Sequence, residues 1–203
     1  MTRAKSFRTR TSGAKTGVHF LLTCVCTPKA LLAACGVVLL AVAPAEAAVR
    51  AQTANGFTVE HTVEIAAPAA RVFPILLRPA RWWLAAHTYS GRAQALRLEA
   101  RAGGCFCERW PGGEVAHMRV VQVQANATLR MLGGLGPLQG VADGALTVSL
   151  APAAGGGVRA TMEYRVWGQE GGEFVQFAPA VDAVLGAQLA ALKAAAETGA
   201  GPR

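Results

Sequence analysis

Two residues that could take part in acid–base chemistry, Glu108 and His117, lie on either side of the turn Pro111-Gly112-Gly113. Proline fixes one backbone φ angle and the glycines leave the next two free, so this tripeptide predicts a hairpin between two strand-like segments. Side chains alternate between the two faces of a strand. If the strands pair symmetrically, Arg109 lies opposite Glu114, and Glu108 and His117 share a face. A carboxylate and an imidazole on one face could move a proton or bind the polar end of a ligand.

The same symmetrical pairing assigns the other side chains of the hairpin to its two faces. It predicts three further cross-strand pairs, which are Phe106 with His117, Cys107 with Ala116, and Cys105 with Met118. One face then combines an aromatic ring with ionisable groups, and the other carries small or uncharged side chains. The face that turns inward decides what the protein can bind. The first face holds Phe106, Glu108, Val115, His117 and Arg119, and the second holds Cys105, Cys107, Ala116 and Met118.

Cys105 and Cys107 form a Cys-x-Cys pair, which suggests either a metal site or a local disulfide. Alternation puts both thiols on one face and His117 on the other, so the hairpin alone cannot supply a Cys-Cys-His site. We therefore predict no bound metal and no other cofactor. In an oxidising compartment the two thiols could form a disulfide, and two reduced cysteines packed as small hydrophobic side chains are the alternative.

Residues 1–48 have the pattern of an export signal. Six basic residues and no acidic one precede an apolar segment over 30–43. After it, Ala45-Glu46-Ala47 has small residues at the two positions that a signal peptidase recognises. The apolar segment is shorter than the ~20 residues that a membrane-spanning helix needs. We predict a periplasmic or secreted protein. The alternatives are an uncleaved membrane anchor, lengthened by apolar residues 18–26, and a lipoprotein site at Leu32-Ala33-Ala34-Cys35, which the apolar residues after it disfavour.

The net charge of +8 comes in large part from this leader. Six of the 20 basic residues and one of the 12 acidic residues precede Val49, which leaves 14 against 11 in the remainder. That remainder has no cluster of Lys and Arg interleaved with aromatic residues. We therefore predict no nucleic-acid partner, and contact with a membrane only through the leader if it is not cleaved.

The residues after the leader predict an α+β domain with about seven strands. The strands are predicted at 57–66, 95–100, 105–110, 115–123, 128–132, 145–150 and 158–167. Two short helices follow the first strand; Pro74 shortens or bends one of them, and Trp82-Trp83 lie on the other. The glycine-rich run 133–138 is predicted to be a mobile loop at a rim. A long helix from Pro179 to about Glu197 closes the domain, and 199–203 are predicted to be a disordered tail. One face of the long helix carries Val181, Val184, Leu185, Leu189 and Leu192.

This order of elements resembles the START-like, or Bet v 1-like, helix-grip superfamily (SRPBCC). Within it, Trp82-Trp83, the strand that begins Gly103-Gly104-Cys-Phe-Cys-Glu, and Pro-Gly-Gly before Val115 look like the branch of polyketide cyclases and homologues of the Hsp90-ATPase activator. The resemblance covers roughly 59–197. It implies a helix-grip domain over 49–198, in which a curved antiparallel sheet wraps around the long C-terminal helix and leaves a cavity between them. It implies no particular activity, because this fold serves lipid binders, cyclases and co-chaperones alike.

The resemblance also implies which side chains face the cavity. In related sequences the position of Phe106 and alternate positions after it are large, apolar and inward, so Glu108 and Trp110 would point inward too. A carboxylate at Glu108 departs from that pattern and needs a partner, for which His117 is placed. We hypothesise that this pair is the polar end of a ligand pocket; the alternative is a Glu–His or Glu–Arg pair that only closes the core. The cavity candidates are Trp83, His87, Tyr89, Phe106, Glu108, Trp110, His117, Val184 and Gln188.

Three functions fit these expectations. The first is an exported protein that binds a small apolar or amphipathic molecule under the helix. The second is an enzyme of cyclase or hydrolase type that uses Glu108 or His117 as acid–base groups. The third is a co-chaperone of an Hsp90-type ATPase, from which an export signal would separate it. We predict the first function and assign no catalytic residue.

Overall fold

The structure is a computed structural model that describes residues 48–170 and 172–199. Eight antiparallel strands form one sheet in the order β1-β2-β8-β7-β6-β5-β4-β3. The predicted export segment lies outside the described residues up to its last residue, Ala48, and the predicted tail lies outside them after Gly199. The strands are β1 (Ala48–Thr53), β2 (Gly56–Ile65), β3 (Leu96–Leu98), β4 (Cys105–Trp110), β5 (Gly113–Gln124), β6 (Thr128–Leu132), β7 (Ala142–Pro152) and β8 (Val158–Gly168).

Seven of these strands coincide with predicted ones, and β1 is additional. It pairs antiparallel with β2 and makes the sheet edge beyond the predicted first strand. The local signal for it is Asn55-Gly56, a dipeptide that favours tight hairpin turns. The prediction missed β1 because its residues directly follow the small residues of the leader, with which they share composition.

Two α-helices complete the predicted helix-grip architecture, which is confirmed. The first, α1 (Ala69–Leu76), contains Pro74 and is short, as expected. The second predicted short helix is a single 3₁₀ turn, Pro79–Arg81, and Trp82-Trp83 follow it. The long helix α2 (Ala178–Thr198) contacts β2, and its C-terminal end is tied to the end of β2. There Lys193 Nζ donates to the Glu64 carbonyl at 2.7 Å.

The core lies between α2 and the inner face of the sheet. Leu185, Leu189 and Leu192 of α2 are almost fully buried there, together with inward side chains of β2, β6, β7 and β8. Among the described residues, one helical stretch, Glu173–Thr198, is long and apolar enough by length and composition to cross a membrane.

Candidate functional site

A cavity of about 470 Å³ opens between α2 and the sheet. Three segments besides the sheet form its wall, namely residues 83–89, the loop between β6 and β7, and the start of α2. Most of the side chains on it are aromatic or aliphatic. The wall is made of Trp83, Ala86, His87, Thr88, Tyr89, Phe106, His117, Leu135, Gly136, Pro137, Phe177, Ala180, Val181, Val184 and Leu185.

The apolar face of α2 divides into two parts along its length. Leu189 and Leu192, in the C-terminal half, pack directly on the sheet and are fully buried. Val181 and Val184, in the N-terminal half, are half-buried and line the cavity. The helical periodicity in the sequence identified one continuous face, but Val181 and Val184 of that face border the cavity, whereas Leu189 and Leu192 pack on the sheet.

Glu108 lies behind the cavity wall with no exposed surface. Its carboxylate accepts three hydrogen bonds, from the backbone N–H of Tyr89 at 3.0 Å, from that of Ser90 at 2.5 Å, and from His117 Nε2 at 3.2 Å. Burial raises the pKa of this carboxyl group, but the hydrogen bonds from Ser90, Tyr89 and His117 outweigh burial and hold the pKa below its ordinary value. Glu108 is therefore ionised at neutral pH.

His117 stands between Glu108 and the cavity. It is 6 % exposed, and its ring lies 5.2 Å from that of Phe106 and 5.8 Å from that of Tyr89, measured between centroids. Burial lowers the pKa of His117, and the hydrogen bond and charge of Glu108 oppose that shift only in part. The imidazole is thus neutral at neutral pH and donates its Nε2 proton to Glu108. Its Nδ1 has no hydrogen-bond partner in the part of the chain that the structure describes.

A β-bulge puts both His117 and Met118 on the inner face. The predicted pairs Arg109 with Glu114 and Cys107 with Ala116 are present, but beyond them Phe106 pairs with Met118 and Cys105 with Arg119. The predicted pairs Phe106 with His117 and Cys105 with Met118 are therefore wrong, and so are the faces assigned to Met118 and Arg119. His117 is the extra residue of the bulge, which reverses the faces of Met118 and Arg119.

The segment after the double tryptophan is held by long-range hydrogen bonds to α2. Gln188 is fully buried; its Oε1 accepts from the Leu84 N–H and its Nε2 lies 2.9 Å from His87 Nδ1. Trp83 Nε1 donates to the His87 carbonyl at 2.9 Å, and the Trp83 ring meets Phe106 edge-on. Gln188 therefore positions His87 from behind the wall and does not line the cavity.

The loop between β6 and β7, residues 133–141, forms the opposite rim. The buried Tyr164 hydroxyl donates to the Gly133 carbonyl at 2.9 Å and accepts from the Leu135 N–H at 3.1 Å. Burial raises the pKa of Tyr164, so the hydroxyl keeps its proton. Gly133 has φ +147°, and a Cβ there would lie 2.6 Å from the His117 carbonyl oxygen. Tyr89 completes the rim, because its hydroxyl donates to the Gly136 carbonyl at 3.1 Å.

Six of the nine predicted cavity residues lie on the wall. These are Trp83, His87, Tyr89, Phe106, His117 and Val184. Glu108 and Gln188 stand one layer behind it and hold wall residues in place. Trp110 is not on the wall, which corrects the prediction for it; its ring packs on Gly113 at the hairpin turn. The prediction missed Leu135, Pro137 and Phe177; the first two belong to the predicted rim loop, and Phe177 precedes Val181 by one helical turn.

The two cysteines of β4 are joined as a disulfide. Both are half-buried and lie on the outer face of the sheet, as the alternation predicted. No group of three or more His, Cys, Asp or Glu side chains that could hold a metal occurs within 48–170 and 172–199.

Comparisons with known proteins identify a family and the fold. Residues 56–197 match the family model described as polyketide cyclase / dehydrase and lipid transport. A conserved protein of unknown function from Enterococcus faecalis is 13 % identical with a TM-score of 0.52, and the match covers 74 % of this chain and 77 % of that one. A putative uncharacterized protein from Rhizobium leguminosarum is 24 % identical with a TM-score of 0.51, covering 69 % and 93 %. No curated protein sequence matches the chain.

Proposed function

The chain belongs to the polyketide cyclase/dehydrase and lipid transport family, and on this premise we propose that it binds a small, largely apolar molecule in the cavity under α2. The family resemblance inferred from the sequence is confirmed by the family match. Because this fold carries many functions, the chemistry of the bound molecule has to follow from the residues of the cavity.

The observation that carries the proposal is an apolar cavity whose wall presents His117 Nδ1, an atom with no hydrogen-bond partner among the described residues. A volume of about 470 Å³ falls in the range of small-molecule sites, which run to roughly 300–1,000 Å³. Trp83, Phe106 and Val184 offer apolar surface, and removing such surface from water contributes about 25 cal/mol per Å².

The polar end of this ligand is a hydroxyl group at His117. Because the Nε2–H of His117 donates to Glu108, Nδ1 is left as an acceptor, and a neutral imidazole cannot donate from it. A phenol, enol or alcohol would supply the missing donor. A carboxylate would not, because at neutral pH it has no proton to give and Glu108 already places a negative charge behind the ring.

A second candidate is an enzyme in which His117 removes a proton from the bound hydroxyl or from a carbon beside a carbonyl. The observation that favours it is the buried carboxylate on Nε2, which orients the imidazole and would stabilise it once protonated. A binding protein requires only the acceptor at Nδ1, whereas an enzyme must also convert the bound molecule into a product.

We expect 1-naphthol to bind about fivefold to tenfold more tightly than 1-methylnaphthalene, because a net hydrogen bond contributes ~1 kcal/mol. Isothermal titration of the purified protein measures both affinities. In His117→Phe the preference for the hydroxyl should fall to near one. Thr88→Val is the matched control, since Thr88 also lines the cavity but its hydroxyl already donates to the Ala85 carbonyl at 2.7 Å, and this variant should keep the preference.

Equal affinity of the wild-type protein for the two compounds would contradict the polar end at His117. The state of the molecule that co-purifies with the protein separates the two candidate functions. A molecule released unchanged after prolonged incubation supports a binding protein. Conversion to a product, lost in His117→Phe, supports the enzyme.

We also propose that the protein works outside the cytoplasm, in the periplasm or secreted. The Cys105–Cys107 disulfide supports this location, because disulfides persist in oxidising compartments and are rare in the cytosol. N-terminal sequencing of protein from the periplasmic fraction should find a chain that begins within a few residues of Ala48. A cytosolic protein that keeps its leader would contradict export, and a leader kept in the membrane fraction would indicate the anchor.

A further inference from the structure

We propose that the Cys105–Cys107 disulfide is a redox-active site that exchanges with small thiols carrying a carboxylate, bound in a groove on the outer face of the sheet. This groove lies on the other side of the sheet from the ligand cavity, and His117 contributes to the walls of both. The argument starts from the residues around the disulfide and from the groove beside it.

Each cysteine of the disulfide has an arginine as a cross-strand neighbour. Cys105 pairs with Arg119 of β5, and Cys107 pairs with Arg97 of β3, all on the outer face. Directly paired residues have Cβ atoms about 4.5–5.5 Å apart, so an arginine stands next to each of the two cysteines on this face. Two positive charges favour a thiolate at either position, and low-pKa, partly exposed cysteines in electropositive surroundings are the reactive ones.

Neither of these arginines is neutralised by a carboxylate among the described residues. Arg97 Nη1 donates to the backbone carbonyls of Gln94 and Leu96. In contrast, two other arginines near the hairpin are paired with carboxylates, Arg101 with Glu99 and Arg109 with Glu114. Arg97 and Arg119 are both exposed, so their charge is available to a ligand.

A groove of about 530 Å³ runs beside Cys105 on this outer face. Its wall includes Gly104, Cys105, Arg119, Gln139 and Asp143, and thus offers backbone amides, a guanidinium and a carboxylate. The half-buried disulfide is therefore open to a small molecule from this side. Arg119 favours a ligand with a negative group, which is the reason for a thiol that carries a carboxylate.

The exchange takes two steps. A thiolate in the groove attacks Cys105 Sγ, forms a mixed disulfide with it, and breaks the bond to Cys107, which leaves with the electron pair as a thiolate beside Arg97. A second thiol molecule attacks the sulfur of the first and releases Cys105. Two small thiols are oxidised to one disulfide, the protein disulfide is reduced to two thiols, and the two protons of the small thiols end on Cys105 and Cys107.

The test compares three small thiols of different charge, 3-mercaptopropionate, 2-mercaptoethanol and cysteamine. The full chain is used with Cys24, Cys26 and Cys35 replaced by serine, so that Cys105 and Cys107 are the only cysteines that can react. Reduction and mixed disulfides are followed by alkylation and intact mass spectrometry. Each rate is divided by the rate of the same thiol with bis(2-hydroxyethyl) disulfide, which removes differences in intrinsic reactivity.

At low salt we expect the normalised rate to be about tenfold higher for 3-mercaptopropionate than for cysteamine. The reason is the positive charge of Arg97 and Arg119 next to the disulfide. The ratio should fall to about one or two in the double variant Arg97→Gln/Arg119→Gln. The matched control, Arg159→Gln/Arg165→Gln, removes the same charge from β8 and should keep the ratio. All four positions are exposed, so melting temperatures should confirm that the variants fold.

A ratio near one in the wild-type protein, or a ratio that the Arg97→Gln/Arg119→Gln variant keeps, would overturn the proposal. So would a disulfide that none of the thiols reduces while they reduce bis(2-hydroxyethyl) disulfide. The proposal would also be overturned if Cys105 and Cys107 were isolated as free thiols and the disulfide of 3-mercaptopropionate did not re-form the bond between them.

Discussion

Replacing Val184 with tryptophan should weaken the binding of a neutral apolar probe by about 100-fold or more, which corresponds to ~2.7 kcal/mol. Val184 lines the cavity from the N-terminal half of α2 and is half-buried, so an indole at this position has empty space to enter. The ring would occupy the volume that a ligand needs. Titration with N-phenyl-1-naphthylamine, followed by fluorescence, measures the affinity, and native mass spectrometry reports any molecule that stays bound.

The matched control is Ala183→Trp, at the next residue of the same helix. Ala183 is exposed and does not line the cavity, so the same indole should leave the affinity unchanged within about twofold. Melting temperatures of both variants should stay within a few degrees of the wild type, since neither ring enters the packed core. Equal probe affinity for the two variants would mean that the cavity under α2 is not where apolar molecules bind.

Replacing Glu108 with glutamine should lower the free energy of unfolding by about 3 kcal/mol. The carboxylate is fully buried and accepts from Ser90, Tyr89 and His117, and both of its oxygens are used. In glutamine one oxygen becomes an NH₂ group that faces an N–H donor, and each buried group left unsatisfied costs about 1–3 kcal/mol. For a domain of this size we expect a melting temperature about 10 °C lower, measured by circular dichroism.

Glu114→Gln is the control for this change. Glu114 lies on the same hairpin but is 69 % exposed in its ion pair with Arg109, and exposed pairs contribute at most ~1 kcal/mol. Comparison of naphthol binding in Glu108→Gln separates two roles of the pair. Lost stability with unchanged affinity would indicate that Glu108 and His117 only close the core. A loss of affinity as well would support the pair as the polar end of the site.

Lowering the pH should reduce the difference in melting temperature between the wild type and Glu108→Gln. The pKa of Glu108 is lower in the folded than in the unfolded chain, so its stabilisation is present above the ordinary carboxyl pKa of 4.5 and is lost as the pH falls through the folded value. At a higher pH, His117 also makes the stability of the folded chain decrease on acidification. Burial lowers its pKa, so the unfolded chain binds a proton first as the pH falls below 6.5, and stability decreases. A difference in melting temperature that stays constant down to pH 3 would contradict the lowered pKa of Glu108.

The hairpin around Pro111 shows which cross-strand pairs could be predicted from the sequence and which could not. Pairs close to the turn, such as Arg109 with Glu114, follow from the turn residues and are present at 2.9 Å. Pairs beyond Cys107 do not follow, because one extra residue in β5 shifts the register and reverses the faces of the side chains that come next, Met118 and Arg119. The sequence carries no local mark of that bulge, which depends on how β5 fits the strand on each side.

By itself the sequence determined the α+β class, the order of seven strands and the long closing helix, because hydrophobic periodicity and turn residues are local properties of the chain. It also determined that Glu108 and His117 lie close together, since one tight turn joins their strands. Only the tertiary structure decided that His117 faces the cavity while Glu108 stands behind it, that Trp110 lies outside, and that Gln188 positions His87 across 101 residues of chain. These depend on contacts between segments far apart in sequence, whose geometry no single segment contains.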